Sequence, residues 1–325
     1  IGPRRHLILA RLKGGPLADS GVIQGMSGSP VYIENQLIGA VSYSMGSFSK
    51  DTIAGITPIG EMLRDDTASL AQSAPPVLQL TLPLSTDTLT ALLPNQLPRA
   101  TPFGASLGDL RALGLPATPV ASQLRPITTP LVMTGFTPEA LNYLAPMFRA
   151  AGMVSVPGGA LSRQTPPALL EPGDPIGVGL IQGDLSMAGT GTVTHVDGRR
   201  VYAFGHQFYN LGPSQFPMTR AYVHTILPSQ AISSRITSIG ETLGTIDQDR
   251  STGISGSFGP GPPLVPVYVE LHSPGRNRVD SFNFSVVSDN VFTPFLSYNA
   301  ILNTLLSQTR QVGASSYSVQ GRVQL

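Results

Sequence analysis

The sequence predicts a mainly β protein, and three observations carry that expectation. Glycine and proline number 35 and 30 among 325 residues, against 12 Phe and 9 Tyr, which suits many turns between short strands. Short apolar runs bounded by Gly, Pro and Asn recur at both ends of the chain. Hydrophobic residues make up 41% and charged residues 12%, enough apolar material for a large core and too little charge for a disordered chain.

Taken in order, the run 7–12 reads as a strand ended by Gly14, Gly15 and Pro16. Residues 29–33 and 37–43 read as two strands of a hairpin around the polar Glu34, Asn35 and Gln36. Residues 53–59 add a further strand. From 67 to 130, prolines at 75, 76, 94, 98, 102, 116, 119, 126 and 130 punctuate a stretch poor in charge, which reads as an extended linker. Thr137, Pro138 and Glu139 open a helix, with a Thr cap, Pro at the first helical position and an acid in the first turn. Gly152 is expected to stop it. Strands follow at 176–181, 191–196 and 200–204, the last two joined at Asp197 and Gly198. Further strands are expected at 264–271 and 281–287. Thr293 and Pro294 begin a last helix, with Leu296, Ala300, Ile301, Leu305 and Leu306 on one stripe. The division is therefore 1–66 as one barrel-like half, 67–170 as a Pro-rich insert carrying one helix, and 171–325 as a second half with a C-terminal helix.

Composition narrows the function classes. The formal charge is +1, from 20 basic and 19 acidic residues, with no basic run for nucleic acid. No apolar stretch reaches the eighteen or so residues of a membrane span. No paired-His motif points to a metal, and no cofactor is expected. Cysteine is absent, so redox chemistry does not place the compartment. Low charge with abundant Ser, Thr, Gly and Pro suggests a bacterial protein outside the inner membrane. The opening Ile1 suggests a processed product of a longer precursor.

The segment 21–30, Gly-Val-Ile-Gln-Gly-Met-Ser-Gly-Ser-Pro, is the one most suggestive of chemistry. A Ser between glycines in a tight turn lets a substrate backbone approach closely. The same turn can aim the N–H groups of Gly25 and Ser27 at one point, forming an oxyanion hole. By spacing alone the string also reads as a plain Gly/Ser turn between strands.

With the following hairpin, this string closely resembles the active-site segment of the stage IV sporulation protein B peptidases, over roughly residues 20–63. That resemblance implies a trypsin-like double β-barrel and Ser27 as nucleophile. A Ser hydroxyl needs a base, and five histidines are present: His6, His195, His206, His224 and His272. Residues 191–206, a Gly-Thr strand and hairpin leading to Gly205-His206, resemble the family's second signature, which implies His206 as general base. The other reading of His206 is a loop residue at a strand end. His195 reads as a surface residue, His224 as a satisfied core histidine and His6 as exposed.

In that family His precedes Ser, whereas here Ser27 precedes His206, so the resemblance implies a circularly permuted member with the Ser-bearing half first. It resembles large bacterial proteins of that order over most of 1–63 and 171–325. The family's acid falls on Leu12, which cannot serve. Asp249 is the expected acid, following His206 at an interval of the kind seen in trypsin-like enzymes. Asp19 and Asp247 compete, and Asp249 also reads as a turn residue paired with Arg250. Two functions are thereby expected: a serine endopeptidase acting on itself or on a few protein or peptide substrates, or a catalytically inactive scaffold for peptide binding or surface assembly.

Overall fold

The computed structural model describes residues 6–15, 17–45, 52–64, 124–159, 169–229, 233–273, 278–308, 318 and 320–322. It is mainly β, as the sequence predicts, with fifteen strands in two sheets among the described residues.

The smaller sheet begins with β1 (Ile8–Arg11) and continues through β2 (Pro30–Ile33), β3 (Gln36–Met45) and β4 (Ile53–Pro58), in the order β1-β4-β3-β2. Glu34 and Asn35 turn the β2–β3 hairpin, both at positive φ (50° and 63°), with Ile33 paired to Gln36. A two-residue turn with both central residues left-handed is the type that matches strand twist. Two short helices flank these strands, α1 (Leu17–Ser20) and α2 (Ile59–Met62).

The linker reading holds a boundary that the structure moves. Residues 65–123 lie outside the described residues. From 124 onward the chain joins both sheets instead of standing apart as an insert. Strand β5 (Leu124–Pro126) extends β3, while β6 (Thr129–Thr134) pairs with the larger sheet. Helix α3 (Pro138–Ala150) follows, capped by Thr137 Oγ1, which accepts from Ala140 N at 3.2 Å. Gly152, at φ 77°, ends it. Strand β7 (Met153–Pro157) then runs parallel to β6.

The larger sheet contains β8 (Pro175–Gly183), β9 (Ser186–Asp197), β10 (Arg200–Ala203), β11 (Gly212–Leu227), β12 (Ser234–Arg250) and β13 (Gly253–Phe258). Their pairings run β8-β11-β12-β13-β10-β9, and β9 pairs back onto β8. These six strands therefore close a ring, which removes their free edges. Strands β6 and β7 hang from β9. Strands β14 (Leu264–Ser273) and β15 (Arg278–Val287) hang from β8. Helix α4 (Phe292–Gln308) is the last helix or strand among the described residues, started by the Asp289 carboxylate, which accepts from Val291 N and Phe292 N.

The main core fills this larger unit. Phe208, Tyr209, Phe216 and Phe292 pack edge to face, with the Phe208–Tyr209 and Tyr209–Phe292 centroids 4.8 Å apart, a preferred aromatic geometry. A smaller cluster of Ile23, Met26, Val41, Ala54 and Ile127 supports the loop before β2. No helix among the described residues is long and apolar enough to cross a membrane.

Candidate active site

Residues 21–29 form a turn held by its own polar groups. Met26 N donates to Ile23 O, Ser29 N to Met26 O and Gly28 N to Val41 O. Ser29 Oγ also donates to Met26 O, at 2.6 Å, so Ser29 clamps the turn instead of facing outward. Gly25 and Gly28 sit at φ 85° and 97°, a region that an L side chain rarely adopts. The amides alternate in use. Those of Gln24, Met26, Gly28 and Ser29 each donate to a carbonyl, whereas the N–H groups of Gly25 and Ser27 make no hydrogen bond among the described residues. These are the two amides that the sequence points to as oxyanion donors.

The turn lies directly against the segment that carries His206. Thr192 N donates to Ser27 O at 2.9 Å, Thr192 Oγ1 to Gly25 O at 3.0 Å and Thr194 Oγ1 to Gly28 O at 2.7 Å. A Cβ on Gly28 would stand 2.0 Å from Thr192 O and 2.5 Å from Phe204 N. A Cβ on Gly205 would stand 2.1 Å from Ser42 Oγ, and Thr57 Oγ1 donates to Gly205 O at 2.7 Å. The two segments singled out in the sequence thus touch backbone to backbone, at contacts that only glycine permits. Thr192 and Thr194, which stitch them together, carry no sequence signal beyond their place in a strand.

Ser27 is fully buried and His206 is 3% exposed. Ser27 Oγ and His206 Nε2 each lack a hydrogen-bond partner among the described residues, each other included. Buried polar atoms without partners are rare and call for a reason. His206 Nδ1 lies 2.7 Å from Gln207 O. A carbonyl only accepts, so this bond fixes the proton on Nδ1 and leaves Nε2 with a free lone pair. Burial lowers the imidazole pKa to about 4, against an upward pull from the Gln207 and Ile127 carbonyls. The ring is therefore neutral at pH 7.

Asp249 is placed differently from the sequence expectation. It lies near the end of β12, 1% exposed, but His206 makes no hydrogen bond to it. Its carboxylate accepts from Phe208 N at 2.8 Å, Tyr209 N at 2.7 Å and Leu211 N at 3.2 Å. It therefore anchors the loop that follows His206. Burial raises its pKa to about 6, against the loop amides that lower it. Arg250 does not pair with it either, but donates to the Met62 carbonyl at the end of α2 and the Arg64 carbonyl just past it. Asp247 pairs with Arg200 at 2.6 Å. The side chain of Asp19 lies outside the described residues.

The remaining histidines make other contacts. His6 is exposed and its backbone N–H donates to Glu61. His195 is half-buried and stacks on Tyr202. His224, expected in the core, is exposed and bonds Ser238 Oγ at 2.9 Å across β11 and β12. His272 is exposed beside Glu270. No cluster of His, Asp and Glu among the described residues has the makings of a metal site.

No protein-family model, curated protein or solved structure matches the chain.

Proposed function

We propose that the chain is a serine endopeptidase of the stage IV sporulation protein B type, circularly permuted, with Ser27 as nucleophile and His206 as base. One observation carries this reading. The Gly25–Gly28 turn packs on Thr192, Thr194 and Phe204, in the segment that leads to Gly205-His206, and Ser27 Oγ, His206 Nε2 and two amides are left unpaired. The closed six-stranded ring on the His-bearing side supports the trypsin-like part of the proposal. The Ser-bearing side contributes an open five-stranded sheet among the described residues.

In the proposed reaction, Ser27 Oγ attacks the scissile carbonyl carbon as His206 Nε2 takes its proton. The carbonyl oxygen becomes an oxyanion, received by the N–H groups of Gly25 and Ser27. The imidazolium then protonates the leaving amine, and a water repeats the sequence to release the acid. The Gln207 carbonyl does what a triad carboxylate does for the tautomer, but carries no formal charge to steady the imidazolium. Substrates in this account are the chain itself or a few proteins outside the inner membrane.

A second reading, a non-catalytic scaffold that binds peptide, is favoured by the full burial of Ser27 and the lack of a carboxylate on the imidazole. Incubation with a peptide library and mass analysis of the products separates the two. The peptidase reading predicts cleavage that Ser27→Ala and His206→Ala each abolish. Cleavage by neither the wild type nor the variants, at high enzyme concentration, favours the scaffold.

A further inference from the structure

Arg235 is a cation for which the site has no obvious structural use. It is the second residue of β12, and the start of that strand is sewn to the nucleophile turn. Ile23 bridges Ser233, Gln24 N donates to Ser233 O, and Ser233 Oγ donates to Ser20 O at 2.7 Å. Two residues on from Ser233, Arg235 lies beside Gly25, one of the two candidate oxyanion donors. Its Cδ would lie 3.6 Å from a Cβ on Gly25, and its Nη1 donates to Thr192 Oγ1 at 3.3 Å. The same Thr192 hydroxyl donates to Gly25 O, and the Thr192 amide donates to Ser27 O.

A guanidinium has five N–H donors in a planar fork, and here one of them is used. No carboxylate among the described residues lies within salt-bridge distance of Arg235. Elsewhere in the larger sheet Arg200, Arg220 and Arg278 each meet an acid at 2.6–2.7 Å, and Arg250 spends two donors on the Met62 and Arg64 carbonyls. Arg235 is also half-buried, and burial alone lowers its pKa, with no acidic group acting to raise it. A desolvated cation without a counter-charge is costly unless an anion arrives, and the fork geometry suits a carboxylate.

We infer that Arg235 is the specificity-determining residue of the Ser27 site, receiving a carboxylate of the bound peptide through the free arm of its guanidinium. The inference rests on the reading of Ser27 and Gly25 as the place where peptide binds. Two sources supply that carboxylate, an acidic side chain beside the scissile bond or the free end of a peptide chain. Thr192 positions the guanidinium, since its hydroxyl is shared between Arg235 and the Gly25 carbonyl.

The test is direct binding to the full chain carrying Ser27→Ala, which cannot turn over. Three peptides are titrated by calorimetry: acetyl-Ala-Ala-Glu-amide, acetyl-Ala-Ala-Gln-amide, and acetyl-Ala-Ala-Gln with a free carboxylate. At least one carboxylate peptide is expected to bind about tenfold to a hundredfold more tightly than the neutral one, the range of a charged hydrogen bond. The stronger of the two identifies the source. In the Ser27→Ala, Arg235→Met double variant the ratio collapses to near one. Should that variant not fold, Arg235→Gln, which keeps donors and loses the charge, gives the same collapse. Equal binding of all three peptides, or a preference that survives loss of Arg235, overturns the inference. Because binding is read without turnover, a wild type that cleaves nothing sinks the peptidase proposal and leaves this result standing. A wild type that cleaves acidic and neutral peptides alike, with equal binding, sinks only the role of Arg235.

Discussion

Gly28→Ala places a single methyl between the two halves of the candidate site. Its Cβ would fall 2.0 Å from Thr192 O and 2.5 Å from Phe204 N. Both are backbone atoms, so no side chain can rotate out of the way. The residue also sits at φ 97°, where a non-glycine residue costs about 1–2 kcal/mol. Overpacking adds about 1–3 kcal/mol, giving roughly 2–5 kcal/mol in total. At about 2–4 °C per kcal/mol for a domain of this scale, Tm falls by roughly 4–20 °C. Gly21→Ala is the matched control. Gly21 has φ 63° and nothing within 4 Å of an added Cβ, so only the backbone cost applies and Tm falls by roughly 2–8 °C. Thermal unfolding followed by circular dichroism at pH 7 compares them. Equal losses in the two variants would mean that the Ser27 turn does not lie against Thr192 and Phe204, and the site would come apart.

The buried ionisable groups His206 and Asp249 carry three further outcomes. His206 has its pKa lowered to about 4 in the fold against about 6.5 unfolded, so the unfolded chain takes the extra proton. That contribution is intact above pH 6.5 and is lost as pH falls toward 4, about 3 kcal/mol over the window. The raised pKa of Asp249 acts with the opposite sign between about pH 4 and 6. The prediction is therefore read as wild type minus His206→Gln in urea unfolding, and a difference independent of pH contradicts it. Asp249→Ala orphans the amides of Phe208, Tyr209 and Leu211, with an expected loss of about 3 kcal/mol or more and faster hydrogen exchange at those three amides. Asp249→Asn should keep peptide turnover within about tenfold, whereas a loss near 10⁴ would restore it as a triad acid.

The parts of the fold legible in the sequence are those with a local signal. Thr137 and Pro138 cap α3, the polar Glu34-Asn35 pair turns the β2–β3 hairpin, and Gly198 turns β9 into β10. Strands β11 and β12 gave no such signal. Pro213 and Pro217 interrupt β11, and its pairing with β12 shifts register at several points, so buried and exposed residues do not alternate. Strand β6 is buried along most of its length and follows a proline-rich stretch, which hides it within what reads as linker. For the candidate site, Gly28 beside Ser27 and Gly205 beside His206 carry the local signal, because glycine at a close approach leaves a mark in the sequence. The partner of His206 Nδ1 was not legible, because every residue owns a backbone carbonyl and none advertises it. Asp249 looked like the missing acid since a buried carboxylate near a strand end suits either role. Only the amides of Phe208, Tyr209 and Leu211 show which role it fills.

The central claim is that Ser27 Oγ is a nucleophile activated by His206 Nε2, and covalent labelling with a fluorophosphonate tests it most directly. Intact-mass analysis of the full chain at pH 7–8 should show one adduct, with loss of fluoride, and peptide mapping should place it on Ser27. The adduct should be absent in Ser27→Ala and slowed by about 10³-fold or more in His206→Gln, in line with the loss of a general base. A chain that remains unmodified after prolonged incubation, or one labelled equally well without His206, contradicts the account.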